Sequence, residues 1–462
     1  MLCPEVRSNG AGRKLIARQV SYRQLLKNRD FGLLIFAQSI SNFGDWLIIG
    51  ILVAMVTELV PTNINPALAV AGLWIAKIAP SLFFSPFIGA LVDRTDRKKG
   101  MIYSDLIRAG LVALLPFSSV LGGLFFVYLV IFLSEIFTLF FVPAKDASIP
   151  NLVKKDQLVD ANSLSFTLNQ VTMLIGLGVG TTIILVVNRL IAFVPVLKNF
   201  AGTNTAIYLD ATTFVFSAIA VSFIHMPKQR VKVDKGHTIF EEVKDTFRFI
   251  AANPKIKSII ISVGFSVLGL GTILVVGPQY AQVDLGLGRD GFLILLTMLA
   301  VGLVIGAVSS SWLTHIISKE SLFSASLTIV GLSLIGFAVF PAVTPAIILS
   351  LISGSALGIM YVSAYTIFHE QVSDDIRGRL FTALEADLRL GLIISLLITS
   401  ALASTIGDQK LNIFGQMVTI NSSQIVLFGG GVIVFVVSLY AFSVTRALAR
   451  KAIVEKVNAS EK

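Results

Sequence analysis

Ionisable side chains set inside apolar runs are the residues of this chain that could do chemistry. Asp45, Lys77, Arg108, Glu135, Glu385, Asp387 and Arg389 each interrupt a long apolar stretch. A charge in such a place is costly, so it faces a bundle interior or a water-filled cavity and marks a path for ions or substrate. A carboxyl there can recognise a cationic group, exchange a proton when desolvation disfavours its charged form, or hold a lysine or arginine. Gln38, Asn42 and Asp45 recur at i, i+4 and i+7, which makes one polar stripe. Tyr361, Tyr365 and His369 repeat every fourth residue, a pattern that suits an amphipathic ligand or plain helix packing. Glu385 and Arg389 share a face with Thr382 and are spaced for an i,i+4 ion pair, whereas Asp387 points away from them. Asn162, Asn169 and Gln170 form a further polar set, for substrate or for hydrogen bonds between helices. The chain has no His-Glu-x-x-His, Cys-x-x-Cys or Walker loop, and its four histidines (His225, His237, His315, His369) are scattered. No enzyme, cofactor or metal site is expected, and any work done at these residues must draw on an ion or solute gradient rather than on ATP.

Lipid is the solvent that the elements positioning these residues require. A chain that is 55% hydrophobic and 14% charged, with mean hydropathy +0.84, has more apolar surface than a water-soluble core could hide. Twelve apolar runs are read near 31–57, 68–92, 101–121, 123–143, 161–187 and 205–224, then 256–282, 291–315, 321–340, 343–369, 376–404 and 424–446. Of the 37 basic residues, only Arg189, Lys198, Arg289 and Lys410 fall in the loops of one side; Lys77, Arg108 and Arg389 lie well inside runs, and the rest sit in the termini, the alternate loops and the run ends that adjoin them. An excess of Lys and Arg marks the cytoplasmic side, so both termini are expected inside. The net charge of +10 is then a topology signal and gives no support to nucleic-acid binding. The seven basic residues of segment 1–30, with no apolar core, exclude a cleavable signal there, and the lone Cys3 says nothing of redox compartment.

Counting inward at ~1.5 Å per residue from the basic ends sets Asp45 and Lys77 at roughly 21–23 Å and Arg108 and Glu135 at roughly 10–12 Å. Asp45 is therefore expected opposite Lys77, as a permanent pair or a titrating site. Arg108 is expected with Glu135 and Asp105 in a structural network.

The chain divides into a segment 1–30, a first set of runs over 31–224, a connection 225–255, a second set over 256–446 and a tail 447–462. In the connection, Thr238 and Glu241 have capping-box spacing. Ile239, Phe240, Val243, Phe247 and Ile250 follow on one face, and Pro254 stops the pattern, so an amphipathic helix on the inner surface is expected. Lys27-Asn28-Arg29 precedes the first run as Asn253-Pro254-Lys255 precedes the seventh, a weak repeat. Two parallel six-span halves are a design of alternating-access transporters, with substrate bound near the midplane between them.

The loop between the second and third runs reads Gly89-Ala-Leu91-Val-Asp93-Arg94-Thr-Asp96-Arg97-Lys98-Lys99. It resembles the cytoplasmic signature of the major facilitator superfamily, Gly-x-Leu-Ala-Asp-Arg-x-Gly-Arg-Lys, with Asp96 in place of the second glycine. Ser41-Asn42-Phe43-Gly44-Asp45-Trp46, Asp105-Leu106-Ile107-Arg108-Ala109, Pro143-Ala144-Lys145, Ala161-Asn162-Ser163-Leu164 and Asp375-Ile376-Arg377-Gly378-Arg379 resemble landmarks of its drug, macrolide and siderophore exporter branch. Gly176-Leu177-Gly178-Val179-Gly180-Thr181 departs from that family's antiporter signature, Gly-Pro-x-x-Gly-Gly, by lacking the proline and the last glycine. The resemblance implies an all-α polytopic membrane protein of twelve transmembrane helices in two pseudo-symmetric six-helix bundles, with spans one, four, seven and ten around the cavity and span three at the outside. It further implies a cytoplasmic gate in which Gly89, Asp93, Arg94 and Arg97 close against Asp375, Arg377 and Arg379.

The function expected is secondary transport of a small amphipathic or cationic molecule by alternating access, as proton-coupled export across a plasma or bacterial inner membrane. Lipids, a small-molecule substrate and protons are the partners. Uptake or lipid movement on the same fold is the first alternative; a transport-inactive sensor binding a cytoplasmic partner is the second.

Overall fold

Short polar side chains fix five helix starts by taking a free backbone N–H. In the computed structural model of the chain, Asn28 accepts from Phe31 N at 3.3 Å, Asn65 from Ala67 N at 2.9 Å, Asp96 from Lys99 N at 3.1 Å, Asn253 from Ile256 N at 3.3 Å and Ser318 from Ser321 N at 3.3 Å. Asn28 and Asn253 begin corresponding helices of the two halves, which gives the weak repeat a physical basis. Asp96, where the signature has glycine, caps the helix that follows it. The structure describes residues 22–62, 64–154, 157–192, 203–226, 248–288, 291–314, 316–371, 374–413 and 416–460.

Twelve long helices are present among the described residues. The first half holds α1 (Arg29–Leu59), α2 (Pro66–Arg94), α3 (Arg97–Leu121), α4 (Gly123–Leu152), α5 (Leu158–Ala192) and α6 (Thr203–Ser222). The second holds α7 (Pro254–Gln279), α8 (Gly291–Leu313), α9 (Lys319–Val339), α10 (Val343–Gln371), α11 (Asp374–Thr405) and α12 (Ser422–Ser460). Eleven contain a span long and apolar enough to cross a membrane, and α5, at 35 residues, packs beside α1. The amphipathic stretch from Thr238 to Phe247 lies outside the described residues; 248–252 are helical, and Phe249 and Ile250 pack on the second half. Between α11 and α12, an antiparallel hairpin of β1 (Gln409–Ile413) and β2 (Gln416–Ile420) pairs Gln409 with Ile420.

The site depends on one helix that continues past its apolar run. α4 continues past Pro143 and Pro150 to Leu152. Proline forfeits a backbone hydrogen bond but is tolerated in a membrane-spanning helix whose neighbours re-satisfy the freed groups. The run that stops at 143 leaves Lys145 in a loop; the helix carries it into the bundle, where it is buried.

Apolar packing divides into three clusters. The largest joins both halves: Leu47, Leu52 and Val56 of α1 and Leu73 of α2 share it with Val276 of α7, Leu295 of α8 and Leu396 of α11. A second is confined to the first half, around Phe31, Leu34, Met101 and Phe141, and a third to the second half, around Ile256, Phe323 and Leu380. The two confined clusters lie at the end of the bundle that carries the basic loops. Among the described residues the apolar core therefore joins the halves at the opposite end and is separate in each half at the basic end. Asn65 Nδ2 donates to Ala403 O at 3.0 Å across the joined end, and Gly178 of α5 faces Thr297 of α8 there.

Tethering that end tests the conformational cycle. With Cys3 changed to Ser, Asn65→Cys with Ala403→Cys joined by a short bis-methanethiosulfonate reagent, which forms a disulfide at each cysteine with loss of methanesulfinate, is expected to hold this conformation and stop transport until a reductant cleaves the linker. Undiminished transport in the linked protein would remove the joined end from any gating role.

Candidate functional site

The polar stripe of α1 faces α5. Gln38 Nε2 donates to Ser165 O at 3.3 Å and to Asn169 Oδ1 at 3.4 Å, and Asn42 Nδ2 donates to Asn169 O at 2.9 Å and Thr172 Oγ1 at 2.7 Å. Lys145 Nζ of α4 reaches Gln38 Oε1 at 3.2 Å and Ser165 Oγ at 3.4 Å, and Ser165 Oγ donates to the same Gln38 oxygen at 2.8 Å. Gln38, Asn42, Lys145, Ser165 and Asn169 wall a cavity of about 440 Å³. Asp45 and Arg108 close one part of it, Lys145 and Asp146 another, and Phe141, Val142 and Phe166 supply apolar surface. The four charged lining residues sum to zero formal charge.

Arg108 organises the deep side. Its Nη2 donates to both oxygens of Asp45, at 2.9 and 2.7 Å, its Nη1 approaches Ser41 Oγ at 3.3 Å and Asp105 Oδ1 at 3.5 Å, and its guanidinium lies 3.9 Å from the Phe214 ring centroid. Ser217 of α6 donates to Asp105 Oδ2 at 2.5 Å. Lys77 pairs with Glu135 instead, by a direct hydrogen bond between α2 and α4. The expected pairing of Asp45 with Lys77 and of Arg108 with Glu135 is thus corrected to Asp45 with Arg108 and Lys77 with Glu135. The helix ends explain the exchange. Lys77 and Glu135 each lie about 17 residues, or roughly 25 Å at ~1.5 Å per residue, from the basic ends of α2 and α4, because α4 runs on to Leu152.

Other expectations about the site change as well. The cavity is lined by α1, α3, α4 and α5, all of the first half, and not by α7 or α10. Arg108 of α3, read as purely structural, is a lining residue; Lys77 and Glu135 are not. Tyr361, Tyr365, Glu385 and Arg389 form a separate chain in the second half. Tyr361 donates to Tyr365 at 2.8 Å, Tyr365 donates to Glu385 at 2.9 Å, and Arg389 lies 3.6 Å from Glu385. Asp387 packs on Gly264 of α7, and its Oδ2 has no hydrogen-bond partner among the described residues.

At the gate motif, Arg97 Nη1 donates to Ala147 O of α4 at 2.7 Å, within its own half. Arg94 ends α2 and is exposed; Asp375, Arg377 and Arg379 lie in the first turns of α11. The side chains of Gly89, Asp93 and 368–379, His369 included, lie outside the described residues.

Lys145 in the cavity wall and Asp210 in sequence-distant α6 are two buried ionisable residues that the sequence reading did not single out as site residues. Asp210 of α6 is fully buried, takes a 3.4 Å hydrogen bond from Thr213 Oγ1, and has an Oδ2 with no partner among the described residues. It lies against Gly44 of α1, where any side chain would collide with it. The signal that could have found it is the one that marks Asp45, a carboxyl within an apolar run. Lys145 was hidden by the proline two residues before it.

The sequence profile described as the Major Facilitator Superfamily matches residues 34–394. The chain belongs to the major facilitator superfamily. This transporter is 25% identical to a protein of Bacillus subtilis (strain 168) named as a bacilysin exporter, BacE, over 88% of this chain and 93% of that one. It is 24% identical to macrolide efflux protein A of Streptococcus pyogenes, over 71% and 79%. Its match to the uncharacterized MFS-type transporter YkuC of Bacillus subtilis (strain 168), at 27% identity, spans 55% of this chain and 58% of the relative. A bacterial homolog to the human lysosomal transporter Spinster, solved in an inward-facing, unoccupied conformation, shares the fold with a TM-score of 0.69 at 13% identity, over 92% of this chain and 98% of that one. This facilitator is accordingly a multi-pass membrane transporter with exporter-type relatives, of a family and fold that belong to transporters rather than enzymes.

Proposed function

We propose that this transporter exports a small amphipathic molecule across a bacterial inner membrane by alternating access, in exchange for protons. The cavity of the first half carries the reading. Its charges already pair with one another, its aromatic and aliphatic wall accepts an apolar body, and Gln38, Asn162 and Asn169 offer amide handles. Because Arg108 occupies both oxygens of Asp45, a net positive charge on the substrate is not needed.

The excess of basic residues at one end supports a cytoplasmic assignment for it. The separate cores at that end suit loading from the cytoplasm, and the gate of Asp93, Arg94 and Arg97 would close on Asp375, Arg377 and Arg379 once the halves rock together. The names of the efflux and exporter relatives favour the outward direction. Proton exchange is assigned to Asp210 and Asp387, two carboxyls within spans that form no ion pair among the described residues and keep an Oδ2 without a hydrogen-bond partner there, rather than to Asp45 and Glu135, which each hold a cation.

Melting temperature tests binding. The purified protein is challenged with macrolides, bacilysin and other amphipathic compounds, and a ligand at a hundred times its Kd is expected to add about 2.7 kcal/mol of stability. Asn169→Leu should remove that shift, since it takes a hydrogen-bonding wall from the cavity. A shift that survives Asn169→Leu moves the site elsewhere, and no shift from any compound overturns the assignment. In proteoliposomes, Asp210→Asn with Asp387→Asn is expected to keep binding but to abolish substrate-dependent proton movement; undiminished proton movement refutes the coupling.

A further inference from the structure

We infer that Lys145 is the anion-recognising residue of the cavity, and that the substrate class is an amphiphile bearing a carboxylate or a similar anionic oxygen group. The inference rests on the cavity being the substrate site and goes beyond it by naming the chemistry that Lys145 selects.

Two cations line the cavity, and their situations differ. Arg108 has its counter-charge inside the site: its Nη2 donates to both oxygens of Asp45, its Nη1 approaches Ser41 and Asp105, and the Phe214 ring covers it. Lys145 differs in where its counter-charge lies. Its side chain is 8% exposed, yet its one charged partner among the described residues is Asp146, whose side chain is 57% exposed, at 2.7 Å. Residues i and i+1 of a helix do not face each other, so both side chains must bend to meet. A pair with one member largely in solvent is screened and weak. An ammonium in the interior needs a well-placed counter-charge, because burying a charge without one is costly.

The neutral neighbours of Lys145 fix its position. Gln38 Oε1 at 3.2 Å and Ser165 Oγ at 3.4 Å lie on the cavity wall, and Ser165 is tied to the same Gln38 oxygen. The ammonium is therefore held in place by acceptors that carry no charge, beside an exposed carboxylate that can turn into water. A ligand carboxylate entering the cavity displaces Asp146 and meets a positioned cation in a site more sheltered than the one Asp146 offers. Phe141 and Phe166 on the same cavity wall accept the apolar body.

Three probes with one skeleton separate the possibilities: N-acetyl-diphenylalanine as the free acid, its C-terminal amide, and the amide of unacetylated diphenylalanine, which are anionic, neutral and cationic. Binding is measured by calorimetry and by melting temperature on the full-length protein. The acid is expected to bind at least tenfold tighter than the neutral amide. Lys145→Met and Lys145→Gln should abolish that preference while leaving the neutral amide bound, and Lys145→Arg should retain it. Asp146→Asn should tighten the acid by removing its competitor. Equal binding of acid and amide, preference for the cation, or no binding by any probe overturns the role of Lys145. If the neutral amide binds and Asn169→Leu removes it without any acid preference, the cavity stands as the binding site and the Lys145 assignment alone falls.

Discussion

Arg108→Met is expected to destabilise the first half by about 3–5 kcal/mol, the range for removing one partner of a buried ion pair. Arg108 is 2% exposed and Asp105 fully buried. The guanidinium joins α1 and α3 through Asp45 and Asp105, and Asp105 is tied in turn to Ser217 of α6. Removing it leaves the fully buried Asp105 without a cation partner and takes from Asp45 its ion pair, and a loss of that size is a large part of the ~5–15 kcal/mol that holds a typical domain folded. Arg108→Lys is expected to recover only part, because a single nitrogen cannot sit both beside Asp45, where Nη2 lies, and beside Asp105 and Ser41, where Nη1 lies. Asp45→Asn and Asp105→Asn added to Arg108→Met should restore stability, since no uncompensated charge then remains. Melting temperature and the monodisperse fraction on size exclusion measure each variant. If Arg108→Met melts with the wild type, the network is not what holds the first half together.

Gly306→Leu is expected to have a comparable effect on the second half. α8 and α10 cross with their backbones in contact: a Cβ on Gly302 or Gly306 would collide with the carbonyl oxygens of Leu351 or Ser355, and one on Gly354 or Gly358 with those of Leu299 or Leu303. Lipid gives helices no hydrophobic reason to associate, so this close packing is what draws the pair together. Overpacking an interior commonly costs about 1–3 kcal/mol where side chains can yield. Here the obstacle is backbone, which cannot rotate away, so the expected cost is at the top of that range or above it. Gly110→Leu and Gly429→Leu are the controls, since nothing lies within 4 Å of a Cβ at either position, and both should leave the melting temperature unchanged. Equal behaviour of Gly306→Leu and the controls would mean that α8 and α10 do not rely on this contact.

The sequence by itself determined the solvent, the helix class and the family. Apolar runs of membrane-spanning length and capping residues such as Asn28 and Asn253 are local properties, legible because each helix satisfies its own backbone and needs no partner to declare itself. The string from Gly89 to Lys99 carried the family for a similar reason, being contiguous. The list of ionisable residues inside the runs was legible too, by the cost of placing charge in lipid, although Lys145 escaped it behind Pro143 and Asp210 was passed over.

Tertiary structure alone decided which charges meet. Depth along a helix predicts level but not azimuth, and a continuation of α4 by a few turns moved Glu135 from the level of Arg108 to that of Lys77. Which helices wall the cavity was likewise decided by how the helices rotate against one another, and that brought α3 to the cavity and left the Tyr361–Tyr365–Glu385 chain as a separate network. The joined and parted ends of the halves belong to the same class of fact. An ion pair, a cavity or a gate is a relation between helices distant in sequence, fixed by packing contacts of which each helix carries only one face.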